Sequence, residues 1–355
     1  MSDFNLADYA LAFVGAMAVT LGLTPIAIRV ATRFNVVDRP AAHKFHRSPT
    51  PYWGGLAVLL AMGLILGVVF VPRSVRLQVI VILGAAAFMG LVGALDDWLT
   101  LPVKPRLAAQ WVAASAVWLV HVRVSSFHWT PADYVATVLV VLAVTNAWNL
   151  LDNMNGLLSG TAAIAGVFFF VVAYREGQVL VSLMSIVLAG SCLGFLPYNL
   201  WRARIFLGDA GALFLGFLLA TLALKINLPG HPLLTRAAVP WLILAVPLFD
   251  TLLVMISRTR AARPVFRGGT DHSSHRLVAL GATPQQAAVI TYLAAIFSGG
   301  AALLVLVVDA LPVTIAGVTL ATLGAIALAL VLDRVDLGTT GTVGDAGTEA
   351  RSGPT

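Results

Sequence analysis

A lone aspartate, Asp209, lies among glycines in the stretch Phe206–Gly211, and an apolar run begins directly after it. A carboxylate at the start of a hydrophobic helix needs a partner, because burying an unpaired charge is strongly unfavourable. The sequence therefore predicts that a positive group, such as a metal ion or a basic side chain, lies at Asp209.

An acidic doublet, Asp96 and Asp97, ends another apolar run and is followed by Lys104 and Arg106. Adjacent carboxylates raise each other's proton affinity unless a cation lies between them. The doublet therefore indicates a general base, a metal site or a site for a cationic group. A solvated helix end is the alternative that the sequence leaves open.

The segment Asn146–Gly156 holds four asparagines and one aspartate. Asn146, Asn149 and Asn153 are three or four residues apart and would share one face of a continuing helix. Amides can ligate a hard cation through oxygen, or bind the edge of a uracil-like base, without the cost of burying a charge. Hydrogen bonding between membrane helices is the alternative, although so dense a group exceeds what helix association needs.

Two histidines, His272 and His275, are three residues apart and lie beside Arg276. A transition-metal site would need further soft ligands, and no cysteine lies near these histidines in the sequence. The spacing and the neighbouring arginine therefore favour a phosphate-binding or proton-handling pair.

Two further features allow a structural and a functional interpretation. Asp250 lies inside an apolar run, where it is either a functional acid or one satisfied by Thr251 or by an arginine of a neighbouring loop. The segment that contains Lys44 and His46 combines cations with prolines and glycines. That combination is typical of an anion-binding loop and equally of a loop at a lipid surface.

The composition indicates the class of protein that carries these groups. The 355 residues are 59% hydrophobic and 11% charged, whereas a soluble domain carries about a quarter charged residues. We therefore predict an all-α polytopic membrane protein. The net charge of +6 is expected of basic residues that flank membrane spans, so we expect no nucleic acid partner. The single cysteine, Cys192, excludes a disulfide framework.

Eleven apolar runs can be read as membrane helices, for which about 17 to 25 residues suffice, although the eighth run is short. If the N-terminus is outside, most of the 22 Lys and Arg residues lie in inner loops, so the positive-inside rule predicts a cytoplasmic C-terminus. We expect one transmembrane domain over residues 1–335 and a disordered tail over residues 336–355. The runs are Leu6–Val30, Trp53–Val71, Leu77–Leu95, Leu107–Val124, Tyr134–Leu150, Leu157–Tyr174, Val179–Pro197, Ala212–Leu224, Ala237–Ser257, Gln286–Val308 and Leu311–Leu332.

This topology places the polar segments on one side of the membrane. The acids fall at inner helix ends or in inner loops, and so do the paired histidines. The sequence therefore predicts an active site that faces the cytoplasm from the inner (plasma) membrane. The residues on this side are Asp96, Asp97, Asp152, Asp209, Asp271, His46, His272 and His275.

The polar motifs resemble, in order, those of the polyprenyl-phosphate N-acetylhexosamine-1-phosphate transferases. The resemblance spans residues 44–281 and leaves out the first span, the last two spans and the tail. Its motifs are Lys44/His46 before Pro51-x-x-Gly54-Gly55, Asp96-Asp97, Asn146-Ala-x-Asn149-Leu-x-Asp152-x-x-Asn155-Gly156-Leu157, Phe206-x-Gly208-Asp209-x-Gly211, Pro247-x-x-Asp250-Thr251 and Asp271-His272-x-x-His275-Arg276-Leu277.

The resemblance implies Mg²⁺-dependent transfer of a sugar 1-phosphate, GlcNAc 1-phosphate above all, from a UDP-sugar to a polyprenyl phosphate, with release of UMP; Mn²⁺ is an expected substitute. It implies that Asp209 is the main metal ligand, assisted by Asn149. Asp96 and Asp97 would orient or deprotonate the acceptor phosphate, and Phe206 would stack on the uracil. The other residues implied to bind the nucleotide, its diphosphate or the sugar are Lys44, His46, Asn146, Asp152, Asn155, His272, His275 and Arg276.

The chain departs from the family pattern at a few positions and leaves alternatives open. Asn155 stands where bacterial members often have aspartate, and Ala212 stands where serine is usual. These departures argue against the branch that uses a muramoyl-pentapeptide donor, which remains the alternative enzyme. A transporter is the rival from another class, but it would cluster polar residues near the bilayer midplane. The sugar, the lipid length, the pathway served and the oligomeric state, including a homodimer, are left open. Direct attack by the lipid phosphate is favoured over a covalent aspartate intermediate, but the sequence does not decide between them.

Overall fold

The chain is almost entirely helical in a computed structural model that describes residues 4–38, 49–68, 73–125, 127, 129–263 and 269–335. Within these residues, thirteen α-helices and one two-stranded sheet are present, so the all-helical class is confirmed. The helices are α1 Leu6–Arg33, α2 Gly54–Val68, α3 Arg73–Leu99, α4 Val103–Leu119, α5 Thr130–Leu151, α6 Leu157–Arg175, α7 Val179–Asn199, α8 Gly208–Lys225, α9 Leu233–Ile243, α10 Ala245–Arg260, α11 Ser273–Ala279, α12 Pro284–Val308 and α13 Leu311–Asp333.

Eight helices of the described ranges are long and apolar enough to cross a membrane: α1, α3, α5, α6, α7, α8, α12 and α13. Helices α9 and α10 meet at a bend of 75°. If these two helices together form one span, the number of spans among the described residues is nine. Helices α2 and α4 coincide with the two remaining predicted runs, but they have only 15 and 17 residues. The polytopic class is confirmed, whereas the count of eleven and the orientation of the termini stay predictions. The predicted tail lies outside the described residues.

Helices α7 and α8 form the centre of the bundle. Their most apolar segments are 83% and 78% buried, against 6% for α13. Helix α7 packs on α1 and α6, and α8 packs on α3 and α5. The first turn of α8, which carries Asp209, is therefore surrounded by protein rather than by lipid.

Glycines allow α2 and α3 to approach the start of α8 closely. A Cβ atom at Gly55 of α2 would overlap the backbone of Gly211, and a Cβ atom at Gly93 of α3 would overlap the backbone of Asp209. Small residues at helix contacts permit such backbone approach in membrane proteins. The glycines thus bring the end of α3, with its acidic doublet, to the start of α8.

A short hairpin closes the same end of the bundle. Strands β1 (Val37–Asp38) and β2 (Thr50–Pro51) pair antiparallel, and Tyr52 N donates to Val36 O at 3.1 Å. The backbone N–H of Phe206 donates to Pro51 O at 2.8 Å, and the N–H of Gly54 donates to Phe206 O at 3.0 Å. Two sequence motifs far apart in the chain therefore form one hydrogen-bonded unit.

Candidate active site

The centre of the site is a contact between Asp209 and Asn149. Asp209 lies in the first turn of α8, and Asn149 lies near the end of α5. The Nδ2 atom of Asn149 donates a hydrogen bond of 2.5 Å to Oδ1 of Asp209. The predicted proximity of these two side chains is confirmed. Among the described residues, no basic side chain forms an ion pair with Asp209.

Asp97 fixes the backbone around Asp209. Its two carboxylate oxygens accept hydrogen bonds from the N–H groups of Asp209, at 2.8 Å, and of Ala210, at 3.2 Å. N–H groups in the first turn of a helix have no partner inside that helix and favour a negative group. Gly208 has φ +73°, and a Cβ atom there would collide with the Asp97 carboxylate. Glycine is therefore required at position 208 for this contact.

The two acids of the doublet, Asp96 and Asp97, contact different parts of the protein. Asp96 forms an ion pair of 2.7 Å with Arg106 and also accepts a hydrogen bond of 2.7 Å from Leu101 N. Asp97, by contrast, holds the start of α8. Both carboxylates thus have partners in the protein itself. The role in deprotonating the acceptor phosphate stays a prediction, and the geometry shows these acids as organisers of the site.

Asp152 adds a further carboxylate next to this group. It directly follows α5, as its C-cap residue. Burial, and then the negative charge of Asp209, raise the pKa of Asp152 to about 7. We refer to Asp97, Asn149, Asp152 and Asp209 as the acidic cluster. Its carboxylates repel one another, and their hydrogen bonds come from the Asn149 amide and from backbone N–H groups. Arg106, whose charge also acts on Asp209, forms its ion pair with Asp96.

The acidic cluster fits a hard divalent cation. Mg²⁺ prefers oxygen ligands and takes one or two protein groups, together with substrate phosphates and water. The Asp209 carboxylate and the Asn149 amide would supply that number. Within the described ranges, no group of three or more His, Cys, Asp and Glu side chains is arranged to hold a metal. A Mg²⁺ ion held by Asp209 and Asn149 would take its other ligands from phosphate oxygens and water.

A cavity of about 330 Å³ adjoins the acidic cluster. Four of the residues predicted to bind the donor line it: Asp152, Asn155, Phe206 and His275. Among the described residues that line it, none is a lysine or an arginine. An anionic ligand in this cavity therefore has no basic partner among these lining residues.

Asn199 and Tyr292 support the cavity and were missed by the sequence analysis. Asn199 accepts a hydrogen bond of 2.7 Å from Gly156 N and donates one of 2.9 Å to Ile205 O. The Tyr292 hydroxyl donates to Gly156 O at 2.6 Å. These bonds fix the turn after α5 and tie it to the segment that leads to Phe206. The available signal was an amide at the end of an apolar run, seven residues before Phe206.

His272 and His275 occupy different environments. The Nδ1 atom of His272 lies 2.8 Å from Asp250, which also accepts hydrogen bonds from the N–H and the hydroxyl of Ser273. Among the described residues, Asp250 is therefore hydrogen-bonded by the histidine segment rather than by Thr251 or an arginine. His275 lines the cavity, and burial, followed by the charge of His272, lowers its pKa to about 4. It is a neutral hydrogen-bonding group at pH 7.

Arg276 is turned away from the cavity. Its guanidinium group is buried and donates to Asp271 O, Leu332 O and the Ser257 hydroxyl at 2.6 to 2.9 Å. Arg258 forms a bidentate pair with the Asp271 carboxylate at 2.6 and 2.7 Å. These contacts give Arg276 a scaffold position and do not favour the predicted contact with the donor. We refer to Asp250, Arg258, Asp271, His272 and Arg276 as the paired cluster.

The predicted common face of Asn146, Asn149 and Asn153 is wrong. Helix α5 ends at Leu151, so Asn153 lies beyond it and accepts a hydrogen bond of 2.6 Å from the Ser274 hydroxyl. Asn146 donates to Gln110 of α4 at 2.7 Å, which is the interhelical hydrogen bond considered as the alternative. Only Asn149 points to Asp209. The remaining predicted donor-binding residues, Lys44 and His46, lie outside the described residues.

The fold and the site define a polytopic membrane protein with an oxygen-rich, anionic site beside a cavity. Residues 79–227 match the model of glycosyl transferase family 4. The chain is 32% identical to the probable undecaprenyl-phosphate N-acetylglucosaminyl 1-phosphate transferase of Bacillus subtilis, over 82% of this chain and 84% of that protein. It is 33% identical to the decaprenyl-phosphate N-acetylglucosaminephosphotransferase of Mycobacterium tuberculosis, over 81% and 80%.

A member of the muramoyl-pentapeptide branch is also similar. The phospho-N-acetylmuramoyl-pentapeptide-transferase of Acetivibrio thermocellus is 30% identical over 64% of this chain and 76% of that protein. The chain therefore belongs to the polyprenyl-phosphate sugar-1-phosphate transferases of glycosyl transferase family 4, and the resemblance inferred from the motifs is confirmed.

Proposed function

We propose that this protein transfers N-acetylglucosamine 1-phosphate from UDP-GlcNAc to a polyprenyl phosphate and releases UMP, with Mg²⁺ as its cofactor. The observation that carries the proposal is the 2.5 Å contact between Asn149 and Asp209 in a group of half-buried acids. The names of the relatives from B. subtilis and M. tuberculosis, which specify N-acetylglucosamine and a polyprenyl phosphate, support the choice of sugar and acceptor.

The proposed reaction joins two anions. An oxygen of the lipid phosphate attacks the phosphorus that bears the sugar, and the bond from that phosphorus to the bridging oxygen of UMP breaks. The leaving UMP takes the electron pair, so no redox partner is needed. Because both reactants are negatively charged, the site must offset their repulsion before this bond can form.

The cation supports this chemistry through its position. Bound to Asp209 and Asn149, Mg²⁺ would neutralise charge on the diphosphate as the phosphoryl group is transferred. Asp97 holds the backbone of Asp209 and Ala210, so the ligand is oriented before substrate arrives. Arg106 neutralises Asp96 and leaves the second acid of the doublet for this task.

The neighbouring cavity is suited to the nucleotide part of the donor. Phe206 offers an aromatic surface, Asn155 offers an amide, and His275 offers a neutral ring. Amide groups match the hydrogen-bonding edge of a pyrimidine. We place this end of the bundle at the cytoplasmic face of the inner membrane, because the donor is water-soluble and the acceptor is a membrane lipid.

Transfer of radiolabel from UDP-GlcNAc into a butanol-extractable lipid tests the proposal directly. We expect labelled lipid and stoichiometric UMP with polyprenyl phosphate and Mg²⁺, loss of both with EDTA, and recovery when Mg²⁺ is added back. A panel that includes UDP-GalNAc and the UDP-muramoyl-pentapeptide donor identifies the sugar. Efficient use of the pentapeptide donor and not of UDP-GlcNAc, or undiminished transfer in EDTA, would contradict the proposal.

A further inference from the structure

Tyr52 lines the cavity, at an unspecified position of the Pro51-x-x-Gly54-Gly55 motif to which no role is assigned above. It directly follows strand β2, and its N–H donates to Val36 O at 3.1 Å. The two residues before Tyr52, Thr50 and Pro51, pair with strand β1 on one side. On the other side, Pro51 O accepts a hydrogen bond of 2.8 Å from Phe206 N. The backbone that carries Tyr52 is thus fixed on one side by the hairpin and on the other by the segment of Phe206.

The side chain of Tyr52 is held by two other cavity residues. Its ring packs against the ring of Phe206 with centroids 5.9 Å apart and planes 47° apart. Its hydroxyl hydrogen-bonds to the carboxylate of Asp38 on strand β1. Burial, and then the charge of Asp38, raise the pKa of Tyr52, so the hydroxyl stays protonated and donates. Asp38, Tyr52 and Phe206 all line the cavity.

We propose that Tyr52 is a binding residue for the nucleobase of the donor, and that it forms with Phe206 one aromatic wall of that subsite. This inference rests on the proposed function only in naming the nucleotide as a uridine phosphate. Each ring presents a flat apolar face, and base–aromatic stacking stabilises a bound nucleotide without a charge. The bond to Asp38 keeps the Tyr52 ring in one orientation, which lowers the entropy lost on binding.

Substitution of Tyr52 by leucine tests whether the Tyr52 ring stacks on the nucleobase. Removal of one stacking ring costs about 1 to 3 kcal/mol, so we expect the KM for UDP-GlcNAc and the inhibition constant of UMP to rise together by about tenfold. The KM for polyprenyl phosphate should stay within about twofold, since the lipid makes no base contact. Tyr52→Phe retains the ring, and its UMP inhibition constant should stay within about threefold of the original value.

Tyr134→Leu is a matched control. Tyr134 is also half-buried, bonds through its hydroxyl to Ser115 at 2.8 Å and contacts the ring of Trp118, but it lies at the opposite end of α5. Its loss should leave the inhibition constant of UMP unchanged. An unchanged UMP constant in Tyr52→Leu, with only kcat or thermal stability reduced, would overturn the inference and leave Tyr52 a scaffold residue.

Photocrosslinking of the unaltered protein with 5-iodo-UMP tests the same point without a substitution. Stacked aromatic residues are the expected sites of crosslinking, and mass spectrometry should find Tyr52 among them, with protection by excess UMP. Crosslinks that never include Tyr52 would also overturn the inference. If the protein fails to transfer sugar phosphate yet crosslinks at Tyr52, the proposed function fails and the nucleotide subsite stands.

Discussion

The acidic cluster and the paired cluster contain the same kinds of side chain in opposite arrangements. In the paired cluster, Asp271 faces Arg258 and Asp250 faces His272. In the acidic cluster, Asp209 contacts the neutral amide of Asn149, and Asp152 is raised in pKa rather than neutralised by a cation. A buried acid that has its own partner is costly to unpair, whereas the half-buried carboxylates of the acidic cluster leave a negative site that suits a cation from outside.

The largest expected effect is that of Asp209→Asn. The amide keeps the shape of the side chain but removes the charge that holds the cation, so transfer should fall by about 1,000-fold or more. Radiolabel transfer measures the activity, and the thermal midpoint should change little because the bond to Asn149 can be kept with one amide reversed. Normal turnover in this variant would remove the assignment of Asp209 as metal ligand.

Arg258→Met should instead act on stability. It leaves the buried Asp271 carboxylate without its bidentate partner, which costs about 3 to 5 kcal/mol when a buried pair is broken. Thermal unfolding in detergent measures the loss, and the Mg²⁺ concentration for half-maximal activity should not change. A second change, Asp271→Leu, should restore part of the stability. If Arg258→Met shifts the Mg²⁺ requirement instead, the division into two clusters is incorrect.

The two asparagines of α5 give a sharper comparison. Asn149→Ala should raise the Mg²⁺ concentration for half-maximal activity by about 10- to 100-fold, as loss of a group that supports a metal ligand commonly does. Asn146→Ala removes the hydrogen bonds with Gln110 and with Leu142 O, none of which involves the acidic cluster, and should cost about 1 kcal/mol of stability. A titration of both variants with MgCl₂ compares them directly. Equal shifts would show that both amides, and not Asn149 alone, serve the cation.

The smallest effect is a pH dependence of stability. Because the folded-state pKa of Asp152 is raised to about 7, the folded protein binds a proton that the unfolded chain has already lost between about pH 4 and pH 7. Asp152 therefore makes the metal-free protein less stable as the pH rises through this window. His275 acts in the opposite direction over the same range, because its pKa is lowered to about 4, so Asp152 is tested by difference. In the metal-free protein, the thermal midpoint of Asp152→Asn relative to that of the original protein should rise from about pH 4 to pH 7, and Mg²⁺ should reduce that rise.

Asp271 should change the stability with pH in the opposite direction to Asp152. Burial raises its pKa, but the Arg258 contact outweighs burial and the net pKa is lowered. A lowered carboxyl pKa gives stability that is present above about pH 4 and is lost as the pH falls further. If the thermal midpoints of Asp152→Asn and of the original metal-free protein keep a constant difference from about pH 4 to pH 7, the assignment of Asp152 is contradicted.

Much of this protein follows from local features of its sequence. Long apolar runs must become helices in a membrane, because the hydrocarbon core offers no partner for free backbone groups. The polar motifs lie at the ends of those runs, so their positions at helix ends were predictable from the pattern of apolar residues along the chain. The order and spacing of the motifs also sufficed to identify the family. For Asp209, the prediction of a nearby cation followed from the cost of burying its charge.

Only the tertiary structure decided which polar groups face each other. Asn146 and Asn149 are alike in sequence, yet one meets Gln110 and the other meets Asp209. The same is true of two other pairs. His272 contacts Asp250 while His275 lines the cavity, and Asp96 contacts Arg106 while Asp97 contacts the backbone of Asp209. The direction of a side chain around its helix, and the neighbour it meets there, depend on how distant helices pack through contacts such as Gly55 with Gly211. Those long-range contacts leave no local pattern, so the partners of each buried charge were fixed by packing.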